Sequence, residues 1–152
     1  MLDNDFIKRK LALNQKELER LQAFENIVID EIAHDPGKHA ACERYLERLI
    51  GRAIDINQHI ISERAGIETL PLRYRDTFLA LADLGVYTRE FAEAIAPSAG
   101  LRNALVHKYD TIDPILLGKS VSEAIKEYNE YARYILSYIE KDATKVSNIA
   151  SS

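Results

Sequence analysis

The chain has a single cysteine, Cys42, in 152 residues. No disulfide can form within it, so a small secreted scaffold stapled by bridges is excluded. It has no apolar run of membrane-spanning length and no basic segment leading into an apolar one at its start. The signals for membrane insertion and export are therefore missing, and a cytoplasmic protein with no membrane partner is expected. It also lacks an excess of positive charge, with 20 Lys and Arg against 24 Asp and Glu and a net charge of −4. Affinity for nucleic acid irrespective of sequence comes from many phosphate contacts, so a protein that coats nucleic acid is excluded and DNA is not an expected partner. Internal repeats, low-complexity tracts and strand-like alternation are absent too.

What is present is helical periodicity. Leu11, Leu18, Leu21, Phe24, Val28 and Ile32 recur at three-, four- and seven-residue intervals and predict one helix over 5–33. Asp35-Pro36 and Asp113-Pro114 each offer a capping carboxylate followed by a residue whose fixed φ suits the first helical turn. The first pair opens a helix over 36–64 with an inner stripe of Cys42, Tyr45, Leu49, Ala53, Ile56 and Ile60, closed by Ala65-Gly66. The second opens a helix over 114–141 that turns Val121, Ile125, Tyr128, Ala132, Ile135 and Ile139 inward. A shorter helix fits 74–84, stopped by Gly85, and Thr88 caps another in which Pro97 and Gly100 predict a break just before Leu101. With 47% apolar residues the chain fills one core. The expectation is all-α: an antiparallel up-and-down bundle of four to five helices over 1–142, followed by a flexible tail over 143–152 that lacks periodicity.

The most informative stretch is Arg102-Asn103-Ala104-Leu105-Val106-His107-Lys108-Tyr109. Arginine grips phosphate through a fixed fork of donors, and histidine moves protons near neutral pH, so the pair points to phosphodiester chemistry. By chance an Arg-x4-His pair is expected about 0.3 times in this composition, and with Tyr two residues later about 0.015 times. The triplet is informative where the pair is not. No acidic residue stands between Glu93 and Asp110, so the segment is a local basic site in an acidic chain. The plainer reading is that Arg102 pairs with a helix terminus and His107 is an ordinary, partly buried histidine.

This octapeptide, together with Asp55-Ile56-Asn57-Gln58-His59-Ile60-Ile61 and the helical pattern around both, resembles the HEPN superfamily, and within it the HepT toxins encoded beside MntA-type nucleotidyltransferase antitoxins. The resemblance covers about residues 5–140. It implies an all-α homodimer that cleaves RNA without a metal or other cofactor through the arginine and histidine. It further implies silencing by AMP transfer to the motif tyrosine, performed by the cognate nucleotidyltransferase. The matching positions are Arg102 and His107 as catalytic residues, Asn103 in the polar place after the arginine, and Tyr109 as the acceptor of AMP. A non-catalytic module of the same superfamily, supporting a nucleotidyltransferase by binding nucleotide or protein, is the alternative.

Geometry adds a constraint. Five residues of ideal helix turn about 500°, leaving Arg102 and His107 roughly 140° apart around the axis. One helix directs both at a single phosphate only with difficulty, whereas a twofold axis would bring a second copy of each alongside. Asp55 and Asn57 are candidates for orienting the motif from behind, against the plainer reading of a solvated face shared with His59. His34, Asp35 and His39 have metal-binding side chains but straddle a Pro-Gly turn without a fourth ligand, so no metal site is expected. Cys42 lies on an inner stripe and is expected to be a buried, structural thiol.

Overall fold

The computed structural model of the protein describes residues 1–25, 29–107 and 112–151. Its elements are α1 (Asn4–Glu25), α2 (Ile29–His34), α3 (Pro36–Ala65), a short 3-10 turn (Ile67–Thr69), α4 (Tyr74–Asp83), α5 (Arg89–Ile95), α6 (Ser98–His107) and α7 (Pro114–Ser151). No strand occurs among the described residues, so the all-α expectation holds. None of the described helices is long and apolar enough to cross a membrane.

The Asp-Pro signals act as expected. Asp35 Oδ1 accepts from the backbone N–H groups of Gly37 and Lys38 at 3.0 and 3.1 Å, and Asp113 Oδ1 accepts from Ile115 at 2.8 Å. Each carboxylate satisfies amides that the first helical turn leaves without partners. Thr88 caps α5 by accepting from the Phe91 amide at 3.1 Å. Gly66 and Gly85 follow α3 and α4 at φ of 98° and 81°, a region that suits a residue without a Cβ.

The central helix is α3, which packs against α1, α4, α6 and α7. Its stripe of Cys42, Leu49, Ala53, Ile56 and Ile60 is fully buried. Leu18 and Leu21 of α1 meet it from one side, and Tyr128, Tyr131, Ile135 and Ile139 of α7 belong to the same core. At about 25 cal/mol per Å² of apolar surface removed from water, such residues supply most of the folding free energy.

Three expectations need adjustment. The single helix over 5–33 is described as α1 and α2, and residues 26–28, which include Val28, lie outside the described residues. The break expected just before Leu101 falls earlier, at Ala96-Pro97. Proline has no N–H and suits a first turn, so α6 starts at Ser98 and carries Gly100 inside it. Finally, α7 does not stop near Lys141 but continues to Ser151. Asp142 is engaged there by Arg64 of α3, which also donates to the Tyr138 hydroxyl at 3.1 Å.

Candidate active site

The geometry of α6 sorts its side chains. Leu105 is fully buried beneath the helix, Asn103 and His107 lie exposed four residues apart, and Arg102 is half-buried on the flank. Four residues apart is one helical turn, so Asn103 and His107 share a face while Arg102 points away from it. Lys108 and Tyr109 lie outside the described residues. The separation expected between Arg102 and His107 is therefore present: one α6 helix presents them on different sides.

Arg102 has an environment of its own. Its guanidinium carbon sits 5.3 Å from the centroid of the Tyr74 ring at the start of α4, within cation–π range. Its Nε is buried without a hydrogen-bond acceptor, and no carboxylate pairs with it among the described residues. A guanidinium held on an aromatic face, and not by an acid, keeps its fork of donors for another anion.

Behind Tyr74 runs a chain of hydrogen bonds. The Thr77 hydroxyl donates to the Tyr74 carbonyl at 2.6 Å, Asn57 Nδ2 donates to Thr77 Oγ1 at 3.1 Å, and the Tyr131 hydroxyl donates to Asn57 Oδ1 at 2.6 Å. Asn57 is fully buried, so it is not part of a solvated face; it ties α3 to α4 and α7. Its link to the motif runs through Thr77 and Tyr74, two residues removed from Arg102. Asp55 remains exposed and pairs with Lys10 of α1 at 3.0 Å, away from α6. His59 Nε2 accepts from the Asp3 amide at 2.9 Å.

The other side of α6 borders a groove of about 360 Å³ whose lining includes Pro97, Ser98, Leu101, Ala104, Leu116 and Glu127. Burial, reinforced by the neighbouring carboxylates of Glu123 and Glu130 and opposed by Lys126, pushes the Glu127 carboxyl up to about 7. Around the motif, Val106, Ile115 and Leu116 are large apolar side chains left exposed.

The metal-type side chains singled out in the sequence have other duties. His34 Nδ1 lies 2.7 Å from the Asp30 carbonyl, Asp35 caps α3, and His39 Nε2 lies 2.8 Å from Glu43 Oε1. Cys42 is buried, and desolvation with the adjacent Glu43 charge pushes its thiol up to about 12. It is a structural thiol with no thiolate character at neutral pH. Sequence reasoning missed Tyr74 altogether, although an aromatic flanked by Arg73 and Arg75 at a helix start was a readable signal.

Comparison with known proteins gives the family and the fold. Residues 15–135 match the family described as Ribonuclease HepT-like. The chain is 39% identical over 136 residues to the tRNA nuclease HepT of Aphanizomenon flos-aquae (strain 2012/KM1/D3), covering 88% of this chain and 89% of that protein. Its fold is shared with a tri-AMPylated HEPN toxin of Shewanella oneidensis solved in complex with its MNT antitoxin. The TM-score is 0.77 at 23% identity, over 90% of this chain and 99% of that one. It is also shared with YutE, a cytosolic protein of unknown function from Bacillus subtilis, at a TM-score of 0.78 and 20% identity, over 93% of each chain. The family match over residues 15–135 and the 39% identity over most of both chains make this chain a member of the Ribonuclease HepT-like family.

Proposed function

We propose that this chain is the toxin of a toxin–antitoxin pair, an endoribonuclease that cuts RNA with Arg102 and His107 as a homodimer in the cytoplasm. A cognate MntA-type nucleotidyltransferase silences it by transferring AMP to Tyr109. The observation that carries the reading is the state of Arg102, a guanidinium seated on the Tyr74 ring with no carboxylate partner among the described residues. It is ready to hold a phosphate beside a helix face bearing Asn103 and His107.

The chemistry divides among few groups. One His107 takes the proton of the ribose 2′-OH, and the 2′ oxygen attacks phosphorus. The bond to the 5′ oxygen breaks, and His107 of the second protomer, protonated, gives that oxygen its proton. The products are a 2′,3′-cyclic phosphate and a free 5′-hydroxyl. Arg102 stabilises the charge that develops on the phosphoryl oxygens, and Asn103, one turn from His107, orients the imidazole. The exposed apolar side chains Val106, Ile115 and Leu116 provide self-complementary surface near the motif for a twofold contact. The name of the Aphanizomenon relative makes tRNA the first substrate to try.

Silencing follows from charge and size. The Tyr109 phenol attacks the α-phosphorus of ATP and pyrophosphate leaves. The attached AMP places a phosphate where the substrate phosphate would meet Arg102. Adenylylation of the Shewanella toxin supports this reading.

One experiment tests the whole. The protein, expressed without a partner, arrests growth and cleaves purified tRNA in EDTA, leaving cyclic phosphate ends. His107→Ala and Arg102→Ala lose at least a hundredfold of the rate while remaining folded. Tyr109→Phe stays toxic and takes no AMP from the partner enzyme and ATP. Cleavage that survives His107→Ala, or that needs a divalent ion, overturns the acid–base mechanism; no cleavage by any form favours the non-catalytic module. An AMP adduct mapped by mass spectrometry to a residue other than Tyr109 overturns the silencing route.

A further inference from the structure

The contact between Arg102 and Tyr74 places the start of α4 directly beside the motif cation. The surroundings of Tyr74 there are basic. Arg73 and Arg75 flank it, both exposed and neither in an ion pair among the described residues. Arg20 and Arg52 converge on Glu17, Arg64 is held by Asp142, and Arg89 lies between Asp83 and Glu93, whereas Arg44 and Arg48 of α3 are, like Arg73 and Arg75, outside any ion pair among the described residues. Leu72 is fully exposed and Tyr74 remains 37% exposed even with Arg102 on its ring.

We propose that the segment Leu72–Arg75 is an RNA-docking edge that extends the motif site, with Arg73 and Arg75 holding backbone phosphates on one side of the phosphate bound by Arg102 and Tyr74 joining the two. The proposal rests on the reading of Arg102 as the residue that holds the scissile phosphate. Arginines interleaved with an aromatic are the side chains that track a single strand, through phosphate contacts and a π face. Consecutive phosphates lie a few ångströms apart, so a strand leaving Arg102 across the Tyr74 ring meets positive charge at Arg73 and Arg75, the neighbours of Tyr74 in sequence. The edge is also preorganised. The hydrogen bonds from Thr77 to the Tyr74 carbonyl, from Asn57 to Thr77 and from Tyr131 to Asn57 fix the first turn of α4 against α3 and α7. Binding to a surface already held in place forfeits little entropy. Asp76 and Glu68 are the nearest acids in sequence, and neither pairs with these arginines among the described residues.

The test uses full-length protein and unfractionated tRNA as the probe. Fluorescence anisotropy in the His107→Ala background gives the dissociation constant, and steady-state cleavage by otherwise wild-type protein gives KM and kcat. Replacing Arg73 and Arg75 together by Ala should raise Kd and KM about tenfold or more and keep kcat at saturating tRNA within about threefold. The slope of log K against log salt should fall by about 1.4, corresponding to two single-strand phosphates. The control removes the same charge from α3, with Arg44→Ala and Arg48→Ala together, and should change Kd less than twofold. Tyr74→Leu should lower kcat as well, because Arg102 loses its seat, whereas Tyr74→Phe should restore it. Equal effects of the two arginine pairs, or none from Arg73 and Arg75, overturn the docking edge. Normal tRNA binding with resistance to the antitoxin would give the edge to a protein partner and equally overturn the proposal. If Arg102→Ala cleaves like wild type, the motif reading itself fails; if Arg102→Ala is dead while the Arg73 and Arg75 variant behaves as wild type, only the docking edge fails.

Discussion

At the scale of single residues, environment decides which polar groups act and which merely hold the fold. Asn57 and Asp55 stand two apart on α3 with similar side chains, yet one is sealed in the core with satisfied hydrogen bonds and the other pairs with Lys10 in solvent. Glu127 is intermediate. Half-buried beside Glu123 and Glu130, it binds its proton more tightly folded than unfolded, with a pKa of about 7 against an ordinary 4.5. A raised carboxyl pKa means the folded state is favoured while the group is protonated, and that advantage is lost as pH rises from about 4.5 through 7. Glu127→Gln should therefore leave stability unchanged below pH 4.5 and raise it by about 1 to 2 kcal/mol above pH 7.5, after discounting for solvent screening. Urea unfolding at the two pH values checks this. A gain that is equal at both would show that Glu127 titrates normally.

At the scale of elements, the boundary that matters most is the one between α5 and α6, because it sets the rotation of the motif helix. Pro97 removes a donor, and Ser98 resolves the junction: its hydroxyl oxygen lies 2.7 Å from the Ile95 carbonyl and 2.7 Å from the hydroxyl of fully buried Tyr128. Ser98→Ala should strand that phenol without a partner and cost about 1 to 3 kcal/mol. Chemical denaturation measures the loss, and Ser98→Thr, which keeps the hydroxyl, should recover most of it. Loss of stability with Thr equal to that with Ala would point to packing and not to the hydrogen bond.

The same junction shows what could be read from the sequence. Helices α3, α4 and α7 were legible because their starts or stops carry local chemistry: Asp-Pro caps at 35–36 and 113–114, and glycines at 66 and 85. The inner stripes were legible because burial follows a 3.6-residue period. The break was misplaced because Gly100 and Pro97 give competing local signals, and the deciding partner, Tyr128, is thirty residues away. In the candidate site, the motif was visible as a spacing, whereas the seating of Arg102 on Tyr74 joins positions 28 apart, which no local pattern encodes. The plainer reading of Asn57 as part of a solvated face failed for the same reason: an amide on a helix looks solvated until its partners on two other helices are known.

At the scale of the whole molecule, the orientation of α6 bears on the proposed mechanism, under which a single protomer would be an incomplete catalyst. Arg102 and His107 emerge on different sides of one helix, and the proposed acid–base route asks the His107 imidazole to act as base at one atom and as acid at another. A twofold axis beside α6 would solve both problems with one contact, because it supplies a second arginine and a second histidine across a shared cleft. The exposed Val106, Ile115 and Leu116 are placed near the motif for such a contact. If the cleft needs both histidines, mixing is decisive. Wild-type chains refolded with an equal amount of His107→Ala chains distribute at random, and only about one quarter of the dimers carry two intact histidines. Cleavage should then fall to about one quarter of that of the same total protein in wild-type form. Two independent sites would leave about one half, and light scattering on the mixture confirms that the dimers form. A measured value of one half would show that one His107 suffices for each site and would overturn the division of base and acid between two histidines across the cleft.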